Sequence, residues 1–313
     1  MLNINNLSIY VFSNSKNNYL LKDISFSLDD GDSLGIIGKS GDGKSTLAKA
    51  ILKMYDKNVC YESGSVYLNN VEINKDSRGK EISLLFQNPN SYLNPLMKVG
   101  EQIDEMLIYH FNENKKTAKE KAIEIMKDAG LTNAEELYNY YPYEISSGMQ
   151  QKICLCIALI CKPKVLILDE FSSHLDQKSK YEICQLINSL RDKYHFTLIV
   201  ISHDFKEVYE MCNKIAVMRK GQMIEFGCRD EIILNPIHPY TIELLYDFLK
   251  FYHNAPSYSC PLMEIELLEA PPIKNLSDTH YVRSWYLDER SLKLNLPSNF
   301  DTIKELIYET IRN

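Results

Sequence analysis

The sequence predicts an α/β fold built around a parallel β-sheet, and three observations support this prediction. Apolar runs typical of strands alternate along the chain with stretches of helical periodicity. Two of these runs, SLGII and VLIL, are almost entirely apolar, as strands buried on both faces are. Both runs are followed directly by glycines or carboxylates, the residue types expected where α/β sheets bind ligands.

The strands are predicted from alternation, apolar runs and turn residues. The N-terminal segment LNINNLSIYVF alternates like a half-buried strand, and LLKDISFSLDDGDSLGII is expected to form a hairpin that leads into a glycine-rich loop. Further strands are expected at GSVYLNN, EISLLFQ, KVLILDE and FTLIVISHD. A last hairpin, KIAVMRKGQMIEFG, is expected to turn at Lys220–Gly221.

Two helices have clear apolar stripes. The first, over residues 115–130, ends at a glycine, and its stripe is Ala122, Ile123, Met126 and Ala129. The second lies near residues 177–193, with Ile183, Leu186, Ile187 and Leu190 at helical spacing. Beyond about Asn235 prolines and aromatic residues become more frequent and the periodicity weakens, which predicts a domain boundary there.

Length, charge and cysteine usage limit the possible functions. A chain of 313 residues suits one large domain plus a smaller one. A net charge of −7 argues against nucleic acid as a partner, because binding it requires a basic face. No apolar stretch reaches the ~18 residues of a membrane span, and the first residues lack the pattern of a signal peptide. Eight cysteines without paired spacing indicate a reducing cytosol. Cys154, Cys156 and Cys161 fall in a predicted helical stretch and are expected to be small residues of the hydrophobic core, not metal ligands.

The segment GKSGDGKST matches the phosphate-loop pattern G-x-x-x-x-G-K-[ST]. In such a loop, backbone amides wrap a phosphate chain and the following helix adds its positive end. Lys44 is predicted to reach the β- and γ-phosphates, and the Ser45 hydroxyl to bind Mg²⁺. A glycine-rich turn without a ligand is the alternative. The predicted nucleotide-binding residues are Gly38, Lys39, Ser40, Gly41, Asp42, Gly43, Lys44, Ser45 and Thr46.

Three other predicted strands end on polar side chains. Asp169 is expected to bind Mg²⁺ directly or through water, and Glu170 to polarise an attacking water. His203 is positioned to reach a γ-phosphate, and Gln87 to contact both the metal and the water. Each of these residues could instead belong to an ordinary solvated turn or to the core.

The stretch YPYEISSGMQQK places Ser146, Ser147 and Gly148 before a predicted helix. Small and hydroxylated residues at a helix N-terminus form a second anion site. One triphosphate does not need two such sites from one chain, so two chains facing head to tail are expected to cap each other's nucleotide. A plain helix cap is the alternative.

The motif order resembles that of the ATP-binding cassette (ABC) ATPases. Six motifs of that family occur here in the family's order, over roughly residues 1–234. They are the Walker A loop (38–46), the Q-loop (Gln87), the signature (145–149), Walker B (165–170), the D-loop (173–176) and the switch histidine (His203). The resemblance implies a P-loop NTPase fold with a RecA-like core, an antiparallel β-subdomain and a helical subdomain at about 88–161. It also implies nucleotide contacts from Asp176 and from an aromatic residue near the end of the first strand. Tyr10 and Phe12 flank the corresponding position, Val11, and we select Tyr10; simple strand packing is the alternative for both.

Two further segments resemble the ATPases of oligopeptide, dipeptide and nickel importers. They are FQNPNSYLNPLMKVGEQI (86–103) and NPIHPYTIELL, which opens a C-terminal extension over 235–313. The resemblance implies a subunit that hydrolyses MgATP at the cytoplasmic face of the inner membrane. Its implied partners are two permease subunits, contacted near 88–110, a paralogous ATPase bound head to tail and, indirectly, an extracytoplasmic substrate-binding protein. Peptides are the expected cargo, and nickel or a metal chelate is the alternative cargo. The alternative classes of protein are a soluble, non-transport ABC ATPase and a small-molecule kinase.

The chain departs from the family pattern in two places. Ser147 replaces the first glycine of the signature, so the nucleotide site that this chain completes on its partner is expected to be weakened. Many peptide-importer ATPases carry four cysteines in this extension, a set that resembles the ligands of an iron–sulfur cluster. This chain keeps one of the four, Cys260, and has Leu267 and Ser284 at positions that correspond to two of the others. A single thiolate cannot hold an iron–sulfur cluster, so no such cluster is expected.

Overall fold

The structure is a computed structural model. It describes residues 1–13, 16–86, 92–173, 175–253, 273–277, 280–283, 306–307 and 310. The strands are β1 (Leu2–Ser13), β2 (Lys16–Leu28), β3 (Ser33–Ile37), β4 (Val59–Leu68), β5 (Val71–Glu72), β6 (Ile82–Leu85), β7 (Val165–Asp169), β8 (Thr197–Ile201), β9 (Lys214–Arg219), β10 (Gln222–Cys228), β11 (Ile273–Asn275) and β12 (Tyr281–Arg283). The α-helices are α1 (Lys44–Ile51), α2 (Val99–Phe111), α3 (Lys115–Asp128), α4 (Ala134–Leu137), α5 (Ser147–Leu159), α6 (Gln177–Tyr194), α7 (Phe205–Met211), α8 (Arg229–Leu234) and α9 (Pro239–His253).

The larger sheet has the strand order β11-β12-β10-β9-β3-β8-β7-β6 within the described residues. Its five strands from β9 to β6 are parallel, and every residue of β3, β7 and β8 is buried. The predicted parallel α/β core is confirmed. Since parallel strands end at one edge of a sheet, β3, β7 and β8 bring the segments that follow them together.

A smaller antiparallel sheet, in the order β2-β1-β4-β5, packs in one core cluster with α1 and part of the larger sheet. The predicted hairpin from residue 20 to 37 is wrong. β2 pairs with β1, whereas β3 pairs with β8 and β9 in the larger sheet. The reason is burial: every residue of β3 is buried, so the backbone groups along both of its edges must pair with neighbouring strands, whereas β2 has one buried face.

The other predicted elements fall close to their expected places. The helices predicted at 115–130 and 177–193 are α3 and α6, and the last predicted hairpin is β9–β10. This hairpin turns at Lys220 and Gly221, which both have positive φ, 45° and 77°. Helices α2 to α5 follow β6 and precede β7 in the sequence, and they pack against one another. The three cysteines at positions 154, 156 and 161 are buried there, as predicted.

The described part of the C-terminal extension packs on the same core as the rest of the chain. Strand β12 pairs with β10 at the edge of the larger sheet, and α9 buries Ile242, Leu245 and Leu249 in the cluster that contains α5 and β7. Cys260, Leu267 and Ser284 lie outside the described residues, so the expected absence of an iron–sulfur cluster stays a prediction. None of the described helices is long and apolar enough to cross a bilayer.

Candidate active site

The loop between β3 and α1 has the sharp turns that its glycines allow. Gly41 and Gly43 have φ values of 88° and 94°, in the left-handed region that favours glycine. A Cβ on Gly38 would lie 2.5 Å from the backbone oxygen of Met218, so this position also excludes a side chain. The first-turn amides of α1 have no acceptor within the helix. The loop and the helix therefore form a concave set of donors suited to phosphate.

Lys44 opens α1 with its side chain buried against this loop. Its Nζ donates hydrogen bonds to the backbone oxygens of Gly38 at 2.8 Å and Lys39 at 2.9 Å. Burial lowers the pKa of the Lys44 ammonium, while the charges of Glu170, Asp42 and Asp169 act in the opposite direction. The ammonium is thus held beside the loop, where it can neutralise phosphate charge.

Two oxygen side chains meet at the carboxyl edge of the sheet. The Ser45 hydroxyl donates to Asp169 Oδ1 at 2.8 Å, which joins α1 to the end of β7. Asp169 is 6% exposed, and burial raises the pKa of its carboxyl while the Ser45 hydrogen bond lowers it. Hydroxyl and carboxylate oxygens are hard donors, and such donors suit Mg²⁺.

Glu170 has an unusual backbone conformation for a residue with a side chain. Its φ is 49°, in the left-handed region, and strain of this kind is on the order of 1 kcal/mol or more. The conformation is held because the Glu170 amide donates to the backbone oxygen of Ile201 at the end of β8, at 2.9 Å. The backbone of the neighbouring strand therefore fixes the place where the Glu170 side chain leaves the sheet.

A cavity of about 360 Å³ joins these groups. It is lined by Tyr19, Leu20, Ser40, Gly41, Gly43, Lys44, Ser45, Thr46, Glu170, Lys220 and Gly221. The predicted phosphate loop and the predicted base thus share one pocket. A larger cavity of about 750 Å³ lies between α2, α3, α5 and α6, and its walls contain none of the predicted site residues.

The aromatic residue in the wall of this pocket is Tyr19 instead of Tyr10, which we selected from the sequence. Tyr10 pairs with Tyr19 across β1 and β2 and packs against it edge-on, with ring centroids 6.0 Å apart. The Tyr19 hydroxyl donates to Glu62 Oε1 at 2.8 Å, which fixes the ring on the surface of the smaller sheet. Sequence reasoning did not consider Tyr19, because the register of β1 and β2 decides which aromatic side chain borders the loop.

Two residues of the predicted phosphate loop have side chains that are not in the pocket wall. The Asp42 carboxylate accepts hydrogen bonds from the amides of Lys39 at 2.7 Å and Lys220 at 3.0 Å, and it is 7% exposed. The Lys39 ammonium pairs with carboxylates of α9. The sequence prediction for these two residues concerns their backbone amides, and it stays a prediction. The Asp42 carboxylate stabilises the loop through the hydrogen bonds that it accepts.

Comparison with known proteins agrees with this geometry. A family model described as ABC transporter matches residues 21–173. The oligopeptide transport ATP-binding protein AmiE of Streptococcus pneumoniae serotype 4 is 33% identical over 92% of this chain and 90% of its own length. The chain belongs to the ABC transporter ATP-binding proteins. Another member, the dipeptide transport ATP-binding protein DppD of Lactococcus lactis subsp. cremoris, is 30% identical over 96% of this chain and 94% of its own.

A solved structure extends the agreement to the fold. The ATP-binding cassette MJ0796, in a dimeric post-hydrolysis state bound to ADP and Pi, superposes with a TM-score of 0.64 and 25% identity. The match covers 73% of this chain and 99% of that one. The resemblance to ABC ATPases is confirmed, and the chain is an ATPase of a transporter.

The remaining ABC motifs lie around this pocket or on the surface. His203 is exposed, two residues beyond the end of β8, at the edge where β3 and β7 also end. Asp176 is exposed and caps α6, accepting from the Ser179 amide at 3.0 Å. Gln87 lies outside the described residues, so its predicted metal contact stays a prediction.

The ABC signature, Ser146 to Gly148, is exposed at the start of α5. The Ser146 side chain accepts from the Met149 amide at 3.3 Å, which is an ordinary helix cap. Gly148 has no positive φ, and a Cβ added to it would meet no atom within 4 Å. Nothing in the described part of this chain therefore requires a glycine at position 148.

Sequence reasoning missed one buried carboxylate that joins two motifs. Glu207 on α7 accepts hydrogen bonds from the hydroxyls of Ser172 at 2.6 Å and Ser202 at 2.5 Å. Ser172 follows Glu170 by two residues, and Ser202 precedes His203. Burial raises the pKa of the Glu207 carboxyl, and the two hydroxyls oppose that rise. The separation of 35 residues between Ser172 and Glu207 leaves no local pattern that could have predicted this link.

Proposed function

We propose that this chain is the ATP-hydrolysing subunit of an importer for oligopeptides or dipeptides. The observation that supports it best is the length of the match to relatives with these names. AmiE aligns with 92% of the chain, and residues 235–313 make up about a quarter of it. The alignment must therefore include most of the C-terminal extension as well as the ATPase core.

The chemistry that we assign to the pocket is the hydrolysis of MgATP. Ser45 and Asp169 would hold Mg²⁺, and Gln87 would join them. When bound, the metal ion would neutralise phosphate charge in the transition state. The Lys44 ammonium binds the β- and γ-phosphates, the Glu170 carboxylate takes a proton from the attacking water, and His203 stabilises charge on the γ-phosphoryl group.

We propose that Tyr19 contacts the adenine ring, because it is the aromatic side chain in the wall of the pocket. Replacing Tyr19 with alanine should raise the Kd for ATP about fivefold to a hundredfold, since stacking on a base contributes ~1–3 kcal/mol. Tyr10→Ala removes the neighbouring ring and serves as the matched control. Equal losses in both variants, measured by calorimetric titration, would show that the tyrosine pair stabilises the sheet without a specific adenine contact.

We also propose that the signature completes the nucleotide site of a paralogous ATPase in a head-to-tail pair. Gly148 supports this, because nothing in the described part of the chain is close enough to exclude a side chain at this position. A partner that approaches the signature closely would explain the glycine. Gly148→Ala should leave the melting temperature and the ATP affinity of the isolated chain unchanged. It should lower ATP turnover of the assembled transporter at least about tenfold, because the added methyl group obstructs closure around the γ-phosphate, and closure strengthens the electrostatic interactions in the site.

Ser147 supplies the matched control for Gly148, because Ser147→Gly restores the usual glycine of the family signature. This variant should leave the turnover unchanged or raise it modestly. Wild-type turnover in an assembled Gly148→Ala transporter would contradict the head-to-tail arrangement.

The permease contact is proposed for residues 88–110. Several large side chains there are exposed in the chain by itself, including Leu96 at 85% and Tyr109 at 79%. Asn88 to Ser91 lie outside the described residues. Because the segment directly follows Gln87, a nucleotide contact at Gln87 can change the conformation that the permease meets.

The proposed function is tested by purifying the full chain from its native membranes under mild detergent. We expect two integral-membrane subunits and a second ATPase to co-purify, and the reconstituted complex to import labelled peptides only when ATP is present inside the vesicles. Import of nickel without peptide import would shift the cargo to a metal ion. Absence of any membrane partner would contradict the transport function.

A further inference from the structure

The C-terminal helix α9 contacts the phosphate loop on the side that faces away from the pocket. The Lys39 ammonium pairs with Glu243 and with Asp247 Oδ2, the latter at 3.2 Å. The Tyr240 hydroxyl donates to Asp42 Oδ2 at 2.5 Å and accepts from the Lys39 amide at 3.2 Å. Three side chains of α9 thus bind two residues of the loop.

Tyr240 is the centre of this contact. It is 4% exposed, and two cations lie over its ring, with Lys39 Nζ at 5.8 Å and the Arg219 guanidinium carbon at 5.0 Å from the ring centroid. Cations over an aromatic face add an attraction to the hydrogen bonds. The hydroxyl is therefore fixed in position and so holds Asp42 and Lys39 at a defined separation.

The beginning of α9 is itself anchored to the sheet by a buried carboxylate. Glu225 of β10 is fully buried and accepts hydrogen bonds from the amides of Ile237 at 2.9 Å and His238 at 3.1 Å and from the Thr241 hydroxyl at 2.5 Å. His280, next to β12, lies with Nε2 3.0 Å from the same carboxylate. The contact with the loop is therefore held from the edge of the sheet, through residues that belong to the extension.

We propose that α9 is a positioning element for ATP binding, with Tyr240 as its principal positioning residue. The loop contains glycines at positions 38, 41 and 43, which allow many backbone conformations when nothing holds them. The contacts from α9 hold Lys39 and Asp42 in place before the nucleotide binds. Less conformational entropy is then lost when the loop amides close on phosphate. The extension would then set the affinity of the site for ATP without touching the nucleotide.

The test compares Tyr240→Phe with Tyr194→Phe in the full chain. Both substitutions remove a tyrosine hydroxyl that donates to an aspartate, but the Tyr194 partner is Asp128, at the end of α3. Tyr240→Phe should raise the Kd for MgATP about tenfold, the size of one hydrogen bond to a charged group. In the assembled transporter it should raise KM with kcat nearly unchanged. Both variants should lower the melting temperature by a similar amount, because each loses one hydrogen bond to an aspartate. Tyr194→Phe should leave the Kd for MgATP unchanged.

A second variant covers the case in which Tyr240→Phe does not fold. The double substitution Glu243→Gln with Asp247→Asn removes the charges that hold Lys39, and we expect a rise of about threefold in Kd, because the pair is partly exposed. Wild-type Kd values in both variants would overturn the proposal and leave α9 with a purely structural role. If the wild-type chain itself does not bind MgATP, the assignment of the nucleotide site fails instead.

Discussion

Replacing Glu170 with glutamine is expected to stop ATP hydrolysis and to leave ATP binding intact. Glutamine keeps the size and the hydrogen-bonding capacity of the side chain, but its amide cannot take a proton from water. General-base catalysis contributes ~10²–10⁴ in rate, so turnover of the assembled transporter should fall by about that factor. The pair of ATPase subunits should then remain closed around unhydrolysed ATP.

The measurement is phosphate release by the reconstituted transporter, together with the amount of ATP retained after rapid gel filtration. Glu182→Gln is the matched control, because Glu182 is an exposed glutamate on α6 that pairs loosely with Lys178, at 3.9 Å. This control should behave as wild type in both assays. Turnover near wild type in Glu170→Gln would show that another group acts as the base.

Much of the site was predictable because parallel strands place their carboxyl ends at one edge of a sheet. A glycine-rich segment after one apolar run and a carboxylate after another had to lie close together once both runs were assigned to that sheet. The hydrogen bond between Ser45 and Asp169 is the result, across 124 residues of sequence. The residue types at these positions then indicate phosphate and metal chemistry.

The direction of individual side chains was not predictable in the same way. Asp42 belongs to the loop motif, but its carboxylate binds the β9–β10 turn and α9, which lie 178 and 198 residues further along the chain. Tyr19 borders the loop because of the register of β1 and β2, which the sequence pattern does not show. The pairing of β3 with β8 and β9 depended on contacts with strands far along the chain. Each of these outcomes is decided by contacts between distant segments, and a local pattern carries no information about them.

Replacing Lys44 with alanine is expected to have the largest effect on nucleotide binding. The ammonium is within 3 Å of two loop carbonyls and next to the pocket, so its loss removes the principal cation available to the phosphates. Charge-assisted hydrogen bonds contribute ~1.5–3 kcal/mol, so the Kd for ATP should rise about tenfold to a hundredfold. Turnover should fall further, by about 10²–10³ at saturating ATP, because charge on the γ-phosphoryl group increases in the transition state.

The fold should tolerate the Lys44→Ala change, which separates a chemical role from a structural one. Alanine favours helix formation at the start of α1, and the two hydrogen bonds that are lost join Lys44 to the loop itself. Lys49→Ala, in the last turn of the same helix, is the matched control and should keep ATP affinity and turnover. Calorimetric titration and melting curves of both variants decide the matter. A folded Lys44→Ala chain that binds and hydrolyses ATP as wild type would contradict the phosphate-loop assignment, and with it the role given to Ser45 and Asp169 beside it.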